Sequence, residues 1–285
     1  MTDSITNLVI LGSTGSIGRQ TLDVVRALPE RFRIIGLAAG ENTELLKEQM
    51  EEFKPQYYYH SAKKGQTKLP NLRYISMEEM AALPEVDTVV VATPGGAGLK
   101  PTLAAVRAGK KVALSNKESL VSAGSIIMEE AAKYNASILP VDSEHSAIWQ
   151  CLEGEDKKCA KVVLTASGGP FRGYTKKQLE GVTPEQALKH PSWTMGKKVT
   201  IDSATLFNKG MEVIEAHWLF GIPYEDIRVL VHPQSIIHSM VEFRDGSTKA
   251  QLGVPDMRLP IQYALTYGQR VNNPEIPGID WTKID

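Results

Sequence analysis

Cysteine is almost missing: 285 residues contain two, Cys151 and Cys159. Their spacing fits neither a zinc site nor a redox motif, so they read as reduced, buried side chains of a cytoplasmic protein. An excess of either charge is missing too. With 32 Lys and Arg against 33 Asp and Glu, the net charge is −1. That gives no field for a nucleic acid or a membrane surface and leaves a small ligand, bound locally, as the partner. No apolar run is long enough to span a bilayer. The first strand-like segment begins within a few residues of Met1, which leaves no room for a signal or transit peptide. Repeats and low-complexity stretches are absent. What remains is 42% apolar and 23% charged, the make-up of a globular chain that buries a good core and is long enough for two domains.

The first half alternates strand-like and helix-like segments. "NLVILG", "FRIIGLAA", "QYYYH", "VDTVVVAT", "KVALS" and "ASILPV" are short continuous apolar runs, as in a parallel sheet covered on both faces. Amphipathic segments such as "SIGRQTLDVVRAL" and "TELLKEQMEEF" lie between them. This order predicts an α/β, Rossmann-like, doubly wound parallel sheet over residues 1–141. From 142 to 273 the pattern changes. "AKVVLTAS", "IRVLVHP", "SIIHSMVEFRDGS" and "KAQLGVP" read as strands, and "TIDSATLFNKGMEVIEAHWLFG" and "DMRLPIQYALTYG" as helices. Consecutive strands without helices between them imply an α+β domain. The segment "SGGPFRGYTKKQLEGVTPEQ" is the candidate for a mobile loop.

"VILGSTGSIGRQTLDVV" sets Gly12, Gly15 and Gly18 between a strand and a helix. In that context the three glycines suit a tight turn, close approach to a pyrophosphate and helix–strand packing. Ser13, Thr14 and Ser16 can add hydroxyl contacts, and the helix N-terminus favours an anion. A glycine turn without a ligand is the plainer alternative. After the second strand stand Gly40, Glu41 and Asn42. An acid at this spacing bonds a ribose 2′-hydroxyl and repels a 2′-phosphate, so Glu41 taken alone argues for NAD. Ala92, Thr93 and Pro94 line the same carboxyl edge of the sheet.

"LPVDSEHSAIW" ends an apolar run in Asp142 and Glu144. Two residues apart in extended chain, they point to one side. Such hard oxygen ligands suit a divalent ion of the Mg²⁺ or Mn²⁺ kind. On a helix Asn208 and Glu212 share a face, Lys209 is adjacent, and Gly210 inside the helix allows close approach of something. The competing reading is an ordinary helix cap at Asp142 or Ser143 with a solvated surface beyond it. The same choice stands at Asn116, Lys117 and Glu118. Ser167, Gly168 and Gly169 form either a phosphate-binding nest or a plain turn. His190 and Trp193 lie in a loop, where packing is the ordinary role.

"LGSTGSIGRQTLDVV", "LSNKESLVSAG", "LPVDSEHSAIWQCL", "LTASGGPFR", "HPSWTMGKKVTIDSATLFNKGMEVIEAHWLFG" and "VHPQSIIHSMVEFRDGS", in this order, resemble the 1-deoxy-D-xylulose 5-phosphate reductoisomerase family over nearly the whole chain. The resemblance implies an NADPH-dependent conversion of that sugar phosphate to 2-C-methyl-D-erythritol 4-phosphate in non-mevalonate isoprenoid synthesis. It implies Asp142, Glu144 and Glu212 as ligands to Mg²⁺, Mn²⁺ or Co²⁺. Ser143 and Lys117 would contact the substrate backbone, and Ser167, Ser203, Asn208 and Lys209 its phosphate. His190 and Trp193 would belong to a closing lid. Thr14, Gly15, Ser16, Ile17, Gly40, Asn42, Asn116, Glu118 and Gly196 would contact NADPH. A homodimer and inhibition by fosmidomycin follow on the same basis. Glu41 departs from the small or basic residue expected beside a 2′-phosphate. The family also carries a helical C-terminal domain beyond a linker starting near residue 274. A sequence ending at Asp285 therefore leaves a catalytically impaired cofactor-binding fragment as the alternative.

Overall fold

The computed structural model describes residues 5–62, 72–155, 161–191, 193, 196–273 and 275–283. The chain divides into two compact units, residues 1–142 with 257–275 and residues 143–256 with 276–285.

The first unit contains β1 (Thr6–Leu11), α1 (Ser16–Ala27), β2 (Phe32–Ala39), α2 (Thr43–Phe53), β3 (Tyr57–His60), β4 (Arg73–Tyr74), α3 (Met77–Ala81), β5 (Thr88–Val91), α4 (Leu99–Arg107), β6 (Lys111–Leu114), α5 (Lys117–Lys133) and β7 (Ser137–Pro140). The strands run in the order β4-β3-β2-β1-β5-β6-β7, and every pairing is parallel. Leu8, Val9, Ile10 and Leu11 are fully buried, as are Val89 and Val91 beside them. Continuous apolar runs are what a sheet with both faces covered requires. The chain moves outward from β1 in one direction and from β5 in the other. That makes the carboxyl ends of β1 and β5 the switch point where this architecture opens a crevice for ligands. Pro140, which lacks an amide hydrogen, is tolerated because β7 is an edge strand.

The second unit contains α6 (Ser143–Leu152), β8 (Lys161–Ala166), α7 (Lys176–Leu179), α8 (Pro184–Ala187), α9 (Lys197–Ala204), α10 (Phe207–Phe220), β9 (Ile227–Val231), β10 (Ile237–Glu242) and β11 (Thr248–Leu252). Its sheet runs β11-β10-β8-β9. β8 and β9 are parallel, and β10 is antiparallel to both β8 and β11. Ile148, Leu152, Val162, Leu164, Ala216, Ile222 and Val241 form the core between helices and sheet. Cys151 is buried in it, as its composition suggests; Cys159 lies outside the described residues.

Two readings need correction. The last helix, α11 (Arg258–Leu265), belongs to the first unit and packs on α1, although residues up to 273 were expected in the second domain. It buries Pro260, Ile261, Tyr263, Ala264 and Leu265 there. The long helix expected from Thr200 to Gly221 is two helices, because Leu206 takes a left-handed φ of 60° between α9 and α10. The segment read as a candidate mobile loop includes the capped turn α7 and the start of α8, each with a Thr–Gln capping box at its N-terminus. Two small elements, β4 and α3, carry too short an apolar pattern to be read from sequence.

Candidate active site

The first unit offers a surface made of backbone. Gly12 has a φ of +96°, and a Cβ there would stand 2.6 Å from the carbonyl oxygen of Ala92. A Cβ on Gly18 would overlap the carbonyl oxygen of Gly12 and the backbone of Ser13. Both glycines are therefore demanded by packing of the turn itself. Gly15 is different. Its φ of −75° suits any residue, it is exposed, and the nearest atom a Cβ would meet is 3.3 Å away. Packing constrains this position less than the other two, since only the Gly12 carbonyl would be crowded, and the exposed face of Gly15 leaves room for something outside the chain. Gly15 caps α1 with no side-chain hydrogen bond among the described residues, leaving the helix's first amides to a ligand. Buried Gln49 donates to the carbonyl of Ser13 (3.0 Å) and fixes the turn from α2. The donor set and the space fit a dinucleotide pyrophosphate.

Thr14, Ser16 and Ile17 lie on this turn, while Gly40 and Asn42 follow β2 at the same carboxyl edge of the sheet. Asn42 caps α2 by accepting the Leu45 amide hydrogen (3.2 Å), and Glu41 is exposed beside it. Asn116 is 2% exposed, and its side chain is spent inside the protein. Its Nδ2 donates to the carbonyls of Thr93 (2.7 Å) and Gly95 (2.9 Å), and its Oδ1 accepts the Ser119 amide hydrogen (3.0 Å). Glu118 accepts from the same Nδ2 at 3.0 Å. Asn116 is thus both the cap of α5 and the tether of the loop after β5. Lys117, also buried, forms an ion pair with Asp142.

The second unit offers side chains. Lys209 is 7% exposed and Glu212 1% exposed, both on α10. The Lys209 ammonium donates to Glu144 Oε1 (2.7 Å), to the carbonyl of Thr165 (2.5 Å) and to Glu212 Oε2. Asn208 donates to the other oxygen of Glu212, and Ser143 Oγ to Glu144 Oε2 (2.5 Å). Burial pulls the Lys209 ammonium toward neutrality, but the charges and hydrogen bonds of Glu144 and Glu212 outweigh it and hold its pKa above the ordinary lysine range. Glu212 is buried and Glu144 only partly so; a buried carboxylate with a second one converging on it calls for a cation between them, and in this structure the Lys209 ammonium provides the charge. Carboxylate oxygens with this convergence fit a hard divalent ion.

Two expectations about this cluster change. Glu144 is the second residue of α6 and not part of an extended segment, so its direction is set by the helix that starts at Ser143. Gly210 faces open space, with nothing among the described residues within 4 Å of a Cβ; close approach within the chain is not its reason. Sequence reasoning also passed over His145. It is fully buried, and its Nε2 lies 2.8 Å from the carbonyl oxygen of Glu212, joining α6 to α10. The i, i+3 spacing from His145 to the core residue Ile148 is the signal that places it inward.

Near the end of β8, Gly168 and Gly169 both have positive φ (83° and 66°), and a Cβ on Gly169 would stand 2.7 Å from the carbonyl oxygen of Ser203. This brings the Ser167 turn against Ser203. Ser167 Oγ and His190 Nε2 are 2.9 Å apart, and the Trp193 amide donates to His190 Nδ1 (2.9 Å). Nδ1 is therefore the acceptor, and the neutral ring carries its hydrogen on Nε2, facing Ser167. Burial lowers the His190 pKa. The Trp193 ring packs near that of His238, with centroids 5.9 Å apart. Gly196, expected at the cofactor, lies in the second unit as the N-cap of α9.

Residues 8–124 match the family described as 1-deoxy-D-xylulose 5-phosphate reductoisomerase. Residues 138–220 match the C-terminal domain described under the same name. The reductoisomerase of that name from Pelotomaculum thermopropionicum is 55% identical, over 93% of this chain and 72% of the relative. That of Desulforamulus reducens is 54% identical, over 96% of this chain and 74% of the relative. A crystal structure of DOX-P reductoisomerase in complex with NADPH, fosmidomycin and magnesium superimposes with a TM-score of 0.92 at 41% identity, covering 98% of this chain and 74% of that one.

Proposed function

The chain belongs to the 1-deoxy-D-xylulose 5-phosphate reductoisomerase family, and from that premise we propose that it converts 1-deoxy-D-xylulose 5-phosphate to 2-C-methyl-D-erythritol 4-phosphate with NADPH and Mg²⁺, Mn²⁺ or Co²⁺. The observation that carries this reading is the convergence of the partly buried Glu144 and the buried Glu212 on one ammonium group. Asp142, two residues before Glu144, joins them as the third ligand. When bound, NADPH would supply a hydride and the cation would supply Lewis acidity.

The residues of the chain bind, orient and exclude water. Asp142, Glu144 and Glu212 hold the cation. Lys117 and Ser143 orient the substrate's carbon backbone. Ser167, Ser203, Asn208 and Lys209 hold its phosphate, which provides binding energy remote from the reacting carbons. His190 and Trp193 close over the substrate and keep water from it. Thr14, Gly15, Ser16 and Ile17 receive the pyrophosphate of NADPH, and Gly40 and Asn42 its ribose. Asn116 and Glu118 complete the cofactor contacts, Asn116 through the loop it ties to Thr93 and Gly95, and Glu118 by accepting from Asn116. Gly196 is assigned to the same cofactor. Glu41 stands where an acid opposes a 2′-phosphate, so NADPH is held in spite of this side chain.

Among the described residues no helix is long and apolar enough to cross a membrane. A cytoplasmic homodimer without nucleic-acid or membrane partners completes the reading. The exposed Val229, Leu230 and Val231 of β9, each 45–49% accessible, support an apolar surface for a second copy. The test of activity is NADPH oxidation, followed optically, with the sugar phosphate present. EDTA should abolish it and Mg²⁺ or Mn²⁺ restore it. Oxidation that ignores EDTA contradicts the assignment.

A further inference from the structure

Lys209 and Asn208 are spoken for. Both are assigned to the phosphate, yet both donate to the carboxylates assigned to the cation. Lys209 has all three of its ammonium hydrogens committed, to Glu144, Thr165 and Glu212, so it must give up a partner to take the phosphate. We propose that the Lys209 ammonium is a resident counter-ion that holds Glu144 and Glu212 together without a divalent ion. Entry of the ion releases it toward the substrate's phosphate, so cation and phosphate bind cooperatively. This rests on the reading of Glu144 and Glu212 as cation ligands.

Charge and reach carry the argument. The two carboxylates bring two negative charges into a site where Glu212 is 1% exposed, and desolvation at that depth is tolerable only beside a cation. A divalent ion on the same oxygens supplies the charge and repels the ammonium. Lysine can answer, because its charge sits on a flexible four-carbon stem. The Lys209 ammonium already touches the carbonyl of Thr165 (2.5 Å), two residues before Ser167 and the glycine pair with left-handed backbone. Such a turn aims amide hydrogens at an anion. The path from carboxylates to phosphate site is therefore a swing of one side chain within the second unit.

Cooperativity of this kind is reciprocal, which gives a test without turnover. Inorganic phosphate is titrated calorimetrically into the full chain with and without saturating Mg²⁺, and Mg²⁺ with and without saturating phosphate. Each ligand should tighten the other by the same factor, about 5- to 150-fold. In Lys209→Met the ion should bind at least as tightly as in wild type, and the enhancement should fall below about twofold, since its carrier is gone. A wild-type phosphate affinity indifferent to Mg²⁺ overturns the proposal whether or not the variant folds. Full enhancement retained in Lys209→Met overturns it too, because phosphate would then sit on the ion directly. Glu212→Gln separates the two levels. If it binds Mg²⁺ like wild type, or wild type binds none, the ligand assignment itself fails. If it loses Mg²⁺ but wild type shows no coupling, only the exchange fails.

Discussion

Gly12, Gly15 and Gly18 in the first unit and Glu144, Lys209 and Glu212 in the second solve opposite problems. The first group makes a ligand surface by removing side chains, so that backbone amides and a helix end are left open. The second makes one by burying charge and keeping it neutralised until a ligand arrives. The first depends on local geometry and is rigid. The second depends on residues far apart in the chain and is held by an internal ion pair that a ligand must replace. Damage to the first should therefore show in folding or cofactor binding, and damage to the second in cation-dependent chemistry.

The largest effect expected is from Glu212→Gln. Turnover should fall by at least about a hundredfold, the upper range for outer partners of metal ligands, while NADPH affinity measured by fluorescence stays unchanged. Equal loss of NADPH binding would merge the two regions. The glycines divide the first region further. Gly15→Val should weaken NADPH by about tenfold or more through lost approach to the pyrophosphate, and should lower the melting temperature less than Gly12→Val does. Gly12→Val should cost stability, about 1–3 kcal/mol as for overpacking, or roughly 2–10 °C at this size. If Gly15→Val melts as early as Gly12→Val and binds NADPH as wild type does, space for a ligand is not why that glycine is there. Glu41→Arg should tighten NADPH by no more than about fivefold, as exposed charge pairs are worth at most about 1 kcal/mol, and should leave NADH nearly unchanged.

The smallest effect concerns pH. His190 has a folded pKa below its ordinary 6.5, with burial as the cause. The unfolded chain therefore takes up the proton first, and the His190 contribution to stability is present above pH 6.5 and lost as pH falls through its folded value. Melting of wild type compared with His190→Gln should show the gap narrowing between pH 7 and 5. A gap that widens on acidification contradicts a neutral ring bonded to Ser167.

The glycine turn was legible in the sequence because its constraints are local. Strand, turn and helix lie within residues 6–27, and the pattern of apolar residues shows all three. The carboxylate cluster was half legible. The i, i+4 spacing of Asn208 and Glu212 on one helix face is real, and the two do meet. That Glu144 also meets Lys209, 65 residues away, follows only from packing of α6 and α10 around His145, which no periodicity displays. The alternative at Asn116 resolves toward a cap for the same reason: its partners at Thr93 and Gly95 arrive through the sheet. The break at Leu206 was hidden because nothing in its side chain announces a left-handed backbone. The placement of α11 was missed because its apolar face fits either unit when read alone.

The central claim is that acids from separate parts of the chain hold one divalent ion. Electron paramagnetic resonance of Mn²⁺ titrated into wild type, Asp142→Asn, Glu144→Gln and Glu212→Gln tests it most directly. The account predicts one bound ion per chain in wild type and its loss in each variant, with folding unchanged by circular dichroism. Any one of the three variants binding Mn²⁺ as wild type does would contradict it.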